Sequence, residues 1–343
     1  MQLHDFDYDL PEQLIAQEPV PNRETARMLV VERSPGRFRD ASFTDFPDRL
    51  GEGDVLVLNN TKVFPARLLG RSETGASVEI FLLQRISERR WETLARPARR
   101  LKPGRQIVFA DKLSGRLIEK KEDGHLVMEF EYDGSFDEIL DLVGRTPLPP
   151  YIKRQGEEPD RDRDRYQTVY AKSAGAIAAP TAGLHFTEHL LQRVQSRGAS
   201  VVELTLHVGY GTFEPVRAKD LSQHSVLPER YRIGSDVAEF LNQARSDRRR
   251  IVAVGTTTTR ALESAVSKTG RFTAGTDMAD LTITPGYKFK AVDALLTNFH
   301  LPMSSLLILV STFGGLELIM KTYKHAVRNN YRFYSYGDCM LIE

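Results

Sequence analysis

The stretch from Gly175 to Pro215 constrains this chain most, because twice within it an apolar run breaks into a loop of small residues carrying a hydroxyl and an imidazole. The first run, Ala176–Ala179, is interrupted by Pro180, Ala182 and Gly183, which make a tight turn bearing Thr181 and His185. Thr187 is placed to cap a helix running to Arg197, and Gly198 to stop it. A second strand, Ser200–Val208, then empties into Gly209-Tyr210-Gly211-Thr212, with His207 at its lip. The pattern predicts a βαβ-like unit with two loaded strand ends. In open α/β sheets ligands bind outside the carboxyl ends of strands, where such loops meet. An ordinary Gly/Pro turn between core elements accounts for either loop alone. The repeat of His with Thr in both is what points to a site.

The same texture recurs along the chain. Asp54–Leu58 reads as a buried strand and ends in Asn59, Asn60, Thr61 and Lys62. Ile251–Val254 runs into Gly255, four threonines (Thr256–Thr259) and Arg260, ahead of a helix expected over Ala261–Ser267. Backbone N–H groups at such a helix start suit an anion. Ala291–Leu296 ends in Thr297, Asn298, Phe299 and His300. Together these ends predict one large pocket of neutral imidazoles, hydroxyls, amides and a few cations. The P-loop and dinucleotide fingerprints are absent, and no G-x-S-x-G elbow is present. No metal site is expected: there is no H-E-x-x-H, and the cap at Thr187 separates His185 from His189. Elimination leaves group transfer on a nucleoside-like ligand.

Between Arg67 and Tyr132 the texture changes to short alternating runs: Val78–Leu83, Trp91–Ala95, Gln106–Phe109, Gly115–Ile118 and His125–Tyr132, separated by turn signals. That spacing predicts a small antiparallel barrel or sandwich, followed by a helix over Asp137–Val143. The fold class expected is therefore α/β: a larger α/β domain (1–66 and 148–343) carrying an inserted β-barrel domain (67–147), and a chain of 343 residues suits two domains. Within the insert, Arg96, Arg99, Arg100, Lys102 and Arg105 form a basic segment without an acid. It reads either as a solvated turn or as a contact for RNA phosphates. Residues 153–165 alternate in sign with almost no apolar residue and read as a mobile, solvated loop. The tyrosines near the C-terminus read as core or as a stacking platform for bases.

With 47 Lys+Arg against 46 Asp+Glu, the net charge of +1 means that a nucleic-acid partner must meet a local patch, not a basic protein. The single cysteine, Cys339, excludes internal disulfides and thiolate metal clusters and is expected buried and inert. The N-terminus lacks a secretory pattern and Leu306–Val310 falls far short of a membrane span. A cytoplasmic protein that does not engage a membrane is expected.

Seven phrases, in order, carry a resemblance over essentially the full length: Asp5–Pro11, Leu58–Val63, Ala178–Phe186, Thr205–Phe213, Ala253–Thr257, Asp293–Pro302 and Tyr331–Asp338. On these the chain resembles the S-adenosylmethionine:tRNA ribosyltransferase-isomerase family of queuosine biosynthesis. Two places depart from the family's usual wording, Leu227-Pro228-Glu229-Arg230-Tyr231 and Thr258-Thr259-Arg260. The resemblance implies transfer and isomerisation of the ribosyl part of S-adenosylmethionine onto the aminomethyl group of 7-aminomethyl-7-deazaguanine in tRNA. Epoxyqueuosine-tRNA, adenine and methionine would be the products. It also implies no cofactor, since S-adenosylmethionine is a consumed substrate, and a monomer is expected.

That reaction needs proton handling. The sulfonium acidifies the neighbouring ribose 5′ carbon, the departing adenine must be stabilised, and the acceptor amine must be neutral to attack. His185, His207 and His300 have a reference pKa, about 6.5, suited to these tasks, with Asp338 or Asp293 to orient one of them or face the sulfonium. Asn59, Asn60, Thr61, Lys62, Thr181, Gly183, Gly209, Thr256, Thr257, Arg260 and Asn298 are the expected substrate contacts. Two other classes remain at this level: an ordinary S-adenosylmethionine-dependent RNA methyltransferase, which should show a Gly-rich first loop, and a non-catalytic RNA-binding protein, which would leave the loaded strand ends unexplained.

Overall fold

The structure is a computed structural model and describes residues 1–99, 101–154, 160–213 and 215–343. In chain order its strands and helices are β1 (Arg27–Glu32), β2 (Arg37–Ser42), β3 (Val55–Asn59), β4 (Thr61–Val63), β5 (Arg67–Ser72), β6 (Ser77–Arg85), β7 (Arg90–Arg96), β8 (Gln106–Ala110), β9 (Leu113–Lys120), β10 (Leu126–Tyr132), α1 (Phe136–Val143) and α2 (Asp160–Arg165). There follow β11 (Ser173–Ala176), α3 (Glu188–Ser196), β12 (Ser200–Leu206), β13 (Glu229–Ile233), α4 (Ser235–Ser246), β14 (Ile251–Val254), α5 (Thr256–Thr269), β15 (Gly275–Ala279), β16 (Ala294–Asn298), α6 (Ser305–Gly314), α7 (Leu316–Arg328) and β17 (Cys339–Ile342). They form two compact units. One comprises Met1–Lys62, Pro150–Lys153 and Gln167–Glu343; the other comprises Val63–Pro149 and Arg154–Tyr166.

The first unit is built on a nine-stranded sheet in the order β15-β13-β12-β3-β14-β16-β17-β1-β2. Period-two alternation divides its side chains between two cores. Leu29, Val31, Val55, Val57, Ala253 and Leu295 face one side, packed with Leu241, Leu262, Val310 and Tyr323 from α4 to α7. Met28, Val30, Leu56, Leu58, Val252 and Leu296 face the other, packed with Leu190 and Val194 of α3 and with Phe43 and Phe46. Burial on both faces explains why β3, β14 and β16 read as continuous apolar runs. Cys339 is fully buried in β17, and burial pushes its thiol up.

The second unit is a closed antiparallel barrel, β10-β7-β6-β5-β8-β9. The mixed α/β fold with a small barrel is as the sequence predicts, with Arg67–Ser72 as the further strand that closes it. At Gly70 in β5 a Cβ would stand 2.7 Å from Ile107 Cγ2 and 2.8 Å from the Val108 carbonyl, so only glycine lets β5 and β8 meet there. Ser135 caps α1 by accepting from the Glu138 N–H, and Phe136 packs on Trp91 and Phe130.

Three local expectations are corrected. Ala176–Ala179 does not start a βαβ unit in the main sheet. Ser173–Ala176 instead pairs with β4 in a two-stranded ribbon, since a run of Gly and Ala has little side chain to fill a sheet core. Helix α5 begins at Thr256, not Ala261. Gly255, at φ +91°, makes the abrupt entry, and the Thr258 and Thr259 hydroxyls bond back to the carbonyls of Val254 and Gly255. Of the segment 153–165, residues 155–159 lie outside the described residues, and Asp160–Arg165 is helical rather than a solvated loop: Asp162 is buried and takes a bidentate pair from Arg154, at 2.6 and 2.9 Å, that neutralises its charge.

Candidate active site

Strand direction decides what meets. β12, β3, β14 and β16 run parallel, so their C-terminal ends open on one edge of the sheet. β17 and β1 run the opposite way and present their N-terminal ends there, and β13, antiparallel to β12, does the same. Four of the five loaded strand ends, and Asp338, therefore reach one sheet edge. The Thr181–His185 turn is joined to them by a contact of 3.3 Å between Asn298 Nδ2 and His185 Nε2.

Asn59 is fully buried. Its amide donates to the Leu206 carbonyl at 3.0 Å and lies 3.4 Å from the Thr257 hydroxyl, while its Oδ1 accepts the N–H groups of Leu206 and Thr61. It thus ties β3 to β12 and to the start of α5. Asn60 bridges Glu203 and the Thr205 hydroxyl, and Lys62 is exposed. The Thr61 hydroxyl lies 2.9 Å from His207 Nδ1. Gly175, at φ +141°, makes room for that ring, because a Cβ there would stand 2.8 Å from Nδ1.

The three histidines differ. His185 and His300 are both nearly fully buried and pushed down to about 3, His300 by desolvation and His185 by desolvation and then by the charges of Arg23 and Arg332. His300 is pinned on every side. Its N–H donates to the Tyr323 hydroxyl, its carbonyl accepts from Tyr8, and its Nε2 lies 2.9 Å from the Thr297 hydroxyl. His207 is only half-buried, and desolvation and then Arg230 lower it. All three are neutral at pH 7, and His207 is the one that combines basicity with access.

Asp338 is buried, and burial pushes its carboxyl up against the pull of two backbone N–H groups, Arg332 at 2.8 Å and Arg27 at 2.9 Å. Both oxygens hold backbone, so the group fixes the loop before β17 and orients no histidine. Asp293 accepts the Ile251 N–H at the opposite end of the sheet. Asn298 donates to the Asp338 carbonyl at 3.4 Å, and its buried Oδ1 has no partner among the described residues.

Thr256 and Thr257 form the first turn of α5, whose N-cap Gly255 offers no side-chain cap. The backbone N–H groups there are available to an anion. Gly183 is buried against Tyr170, whose hydroxyl a Cβ would overlap, while Thr181 sits half-buried at the start of the same turn. Arg260 is buried, its terminal nitrogens bonded to Glu229 and to the carbonyls of Leu227 and Ala279. Glu229 receives the Gly209 N–H at 2.8 Å. Sequence reasoning left Glu229, Tyr8, Arg23 and Gly175 without roles. The signal for Glu229 was an acid opening a strand in a chain with a buried arginine at a helix start, which only the fold pairs.

In the barrel unit Arg96, Arg99, Lys102 and Arg105 are all exposed, and Arg105 is paired with Glu73 at 2.8 Å. Arg100 lies outside the described residues. Among the described residues no three His, Cys, Asp or Glu side chains come together as a metal site, and no single helix is long and apolar enough to cross a membrane.

Over residues 3–342 the chain matches a family described as queuosine biosynthesis protein. It is 49% identical to the S-adenosylmethionine:tRNA ribosyltransferase-isomerase of Symbiobacterium thermophilum and 47% identical to that of Halothermothrix orenii, each alignment covering 100% of both chains. Among solved structures it is similar to the S-adenosylmethionine tRNA ribosyltransferase of Thermotoga maritima, with 35% identity, a TM-score of 0.57 and coverage of 99% of this chain and 100% of that one.

Proposed function

This chain belongs to the queuosine biosynthesis family of S-adenosylmethionine:tRNA ribosyltransferase-isomerases, and from that membership we propose how its residues divide the work. The enzyme transfers and isomerises the ribosyl part of S-adenosylmethionine onto the aminomethyl deazaguanine of tRNA, releasing adenine and methionine. Neither the family nor the relatives support the methyltransferase or the non-catalytic RNA-binding reading.

S-adenosylmethionine lies along the sheet edge formed by the ends of β12, β3, β14 and β16. The observation that carries this reading is the convergence there of His207, Thr61, Thr256, Thr257, Asn298 and the Thr181–His185 turn. His207 Nε2 is the proton acceptor at the ribose 5′ carbon, with Nδ1 held by Thr61. His185 and His300, neutral and deeply buried, serve as hydrogen-bonding groups at the nucleoside. The methionine carboxylate, the only anion of the ligand, sits at the N-terminus of α5, against Thr256 and Thr257. Asn59, Asn60 and Asp338 shape the pocket walls, and Gly183 and Gly209 let the backbone approach. Arg260 acts at one remove, and Lys62 stays free for the tRNA phosphates. The exposed cations Arg96, Arg99, Lys102 and Arg105 give the barrel a surface for tRNA. The protein works as a monomer in the cytoplasm, and S-adenosylmethionine is its consumed substrate rather than a resident cofactor.

Mass spectrometry of products from the purified chain, S-adenosylmethionine and tRNA bearing the deazaguanine amine tests the reaction. Adenine and methionine must appear in step with an epoxycyclopentyl-modified tRNA. S-adenosylhomocysteine in their place would refute it.

A further inference from the structure

We propose that Glu229 is a positioning residue for the reaction: locked by Arg260, it presents the Gly209–Thr212 turn to S-adenosylmethionine. The inference rests on the reading above that this turn lines the ligand.

Pairing between β12 and β13 runs through Leu206 and Tyr231, and the His207 N–H donates to the Arg230 carbonyl at 3.0 Å. Glu229, the first residue of β13, is thereby set beside the chain as it leaves β12. Its carboxylate faces two ways. Oε1 accepts the Gly209 N–H at 2.8 Å and the Thr212 hydroxyl at 3.3 Å. Oε2 accepts from Arg260 Nη1 at 2.5 Å. The guanidinium in turn donates from Nη2 to the carbonyls of Ala279 at 2.9 Å and Leu227 at 3.2 Å. The pair thus joins α5, β13 and β15 to the turn. Both side chains are less than a tenth exposed. Burial pushes the Glu229 carboxyl up, and Arg260, the Gly209 N–H and the Thr212 hydroxyl oppose that push.

Buried ion pairs are poor stabilisers, because desolvation offsets their attraction. What such a pair supplies well is a fixed position. Here that position is two residues beyond His207, on the Gly209–Thr212 turn. A Cβ built on Gly209 would stand 3.9 Å from Glu229 Oε1, so the carboxylate lies directly against the turn, whose own bond, from the Thr212 N–H to the Gly209 carbonyl, is long at 3.4 Å. Arg260 therefore serves the ligand through Glu229 and not by touching it.

The test uses the full chain with S-adenosylmethionine and its tRNA substrate. Steady-state kinetics give kcat and both KM values, and calorimetry gives the Kd for S-adenosylmethionine alone. Glu229→Asp keeps the charge but withdraws it from the turn. It should raise KM and Kd for S-adenosylmethionine about tenfold or more, with kcat and the KM for tRNA near wild type. Thr212→Val should shift them in the same direction by less, and Thr212→Ser should restore them. A folded Glu229→Asp protein with unchanged KM and Kd, or with kcat lost at unchanged KM, overturns the proposal. Where Glu229→Asp does not fold, the Thr212 pair decides, and equal behaviour of Val and Ser overturns it. Gly209→Val tests the premise separately. If it leaves S-adenosylmethionine binding untouched, the turn does not line the ligand and the underlying reading fails. If it weakens binding while Glu229→Asp does not, only the Glu229 role is wrong.

Discussion

The Thr61 hydroxyl stands 2.9 Å from Nδ1 of His207, and 3.4 Å from the Ser173 carbonyl. A hydroxyl that donates to that carbonyl accepts the Nδ1–H of the ring. This assignment leaves Nε2 unprotonated, on the less buried of the three histidines at the sheet edge. Thr61→Val should lower kcat about tenfold by releasing the tautomer, while Thr61→Ser retains activity. Equal turnover by wild type and Thr61→Val at saturating substrate would rule the relay out.

Gly175 bears on the same ring. Alanine there meets both a left-handed φ of +141° and His207 Nδ1 at 2.8 Å. Gly175→Ala should cost about 1–3 kcal/mol of stability and reduce kcat, because the ring must move. Urea unfolding and steady-state kinetics on the same preparation check both parts. A variant as stable and as active as wild type contradicts the packing described.

Burial of neutral His185 and His300 predicts acid sensitivity. Their folded pKa values, pushed down to about 3, lie below the value near 6.5 of an unfolded histidine. Below that value the unfolded chain binds protons that the folded chain refuses. Stability is therefore complete above pH 6.5 and falls as pH drops from there towards 3. Each histidine contributes about 1.4 kcal/mol per pH unit over that window. Chemical denaturation at pH 7.5, 5.5 and 4.5 should show the fall, and His300→Gln should flatten it. A His300→Gln protein with the wild-type slope would show that His300 titrates normally.

Gly183 and Tyr170 form a tight contact of another kind. The Tyr170 hydroxyl is buried without a partner among the described residues, and a Cβ on Gly183 would overlap it. Tyr170→Phe should therefore be neutral or slightly stabilising. Gly183→Ala should destabilise by about 1–3 kcal/mol, and adding Tyr170→Phe should recover part of that loss. Strictly additive effects in the double variant would contradict direct contact.

Much of this was legible in the sequence, and the failures have physical causes. Two of the strands that the site hangs on, β3 and β14, announce themselves as apolar runs, because both of their faces are buried. The cap at Thr187 was equally plain, and its hydroxyl accepts the Leu190 N–H. Helix α5 was placed too late because threonine is a weak helix former whose side chain here finds compensation in back-bonding that only the helix itself provides. The ribbon of β4 and β11 was misread as part of a crossover, since nothing in an alanine run says which strand it will join. The five loaded strand ends were visible, but what each side chain does was not. Asn59, Asp338 and Arg260 look like free polar hands in the sequence, yet the fold engages them with backbone and with Glu229.

The most direct test is single-turnover release of adenine by His207→Ala beside wild type, with S-adenosylmethionine saturating and enzyme in excess over a limiting amount of tRNA. The account predicts that the variant binds S-adenosylmethionine within a few-fold of wild type but releases adenine about a hundredfold or more slowly, as expected for loss of a general base. Adenine released at the wild-type rate would contradict the assignment of His207 and return the proton transfer to another group at the sheet edge.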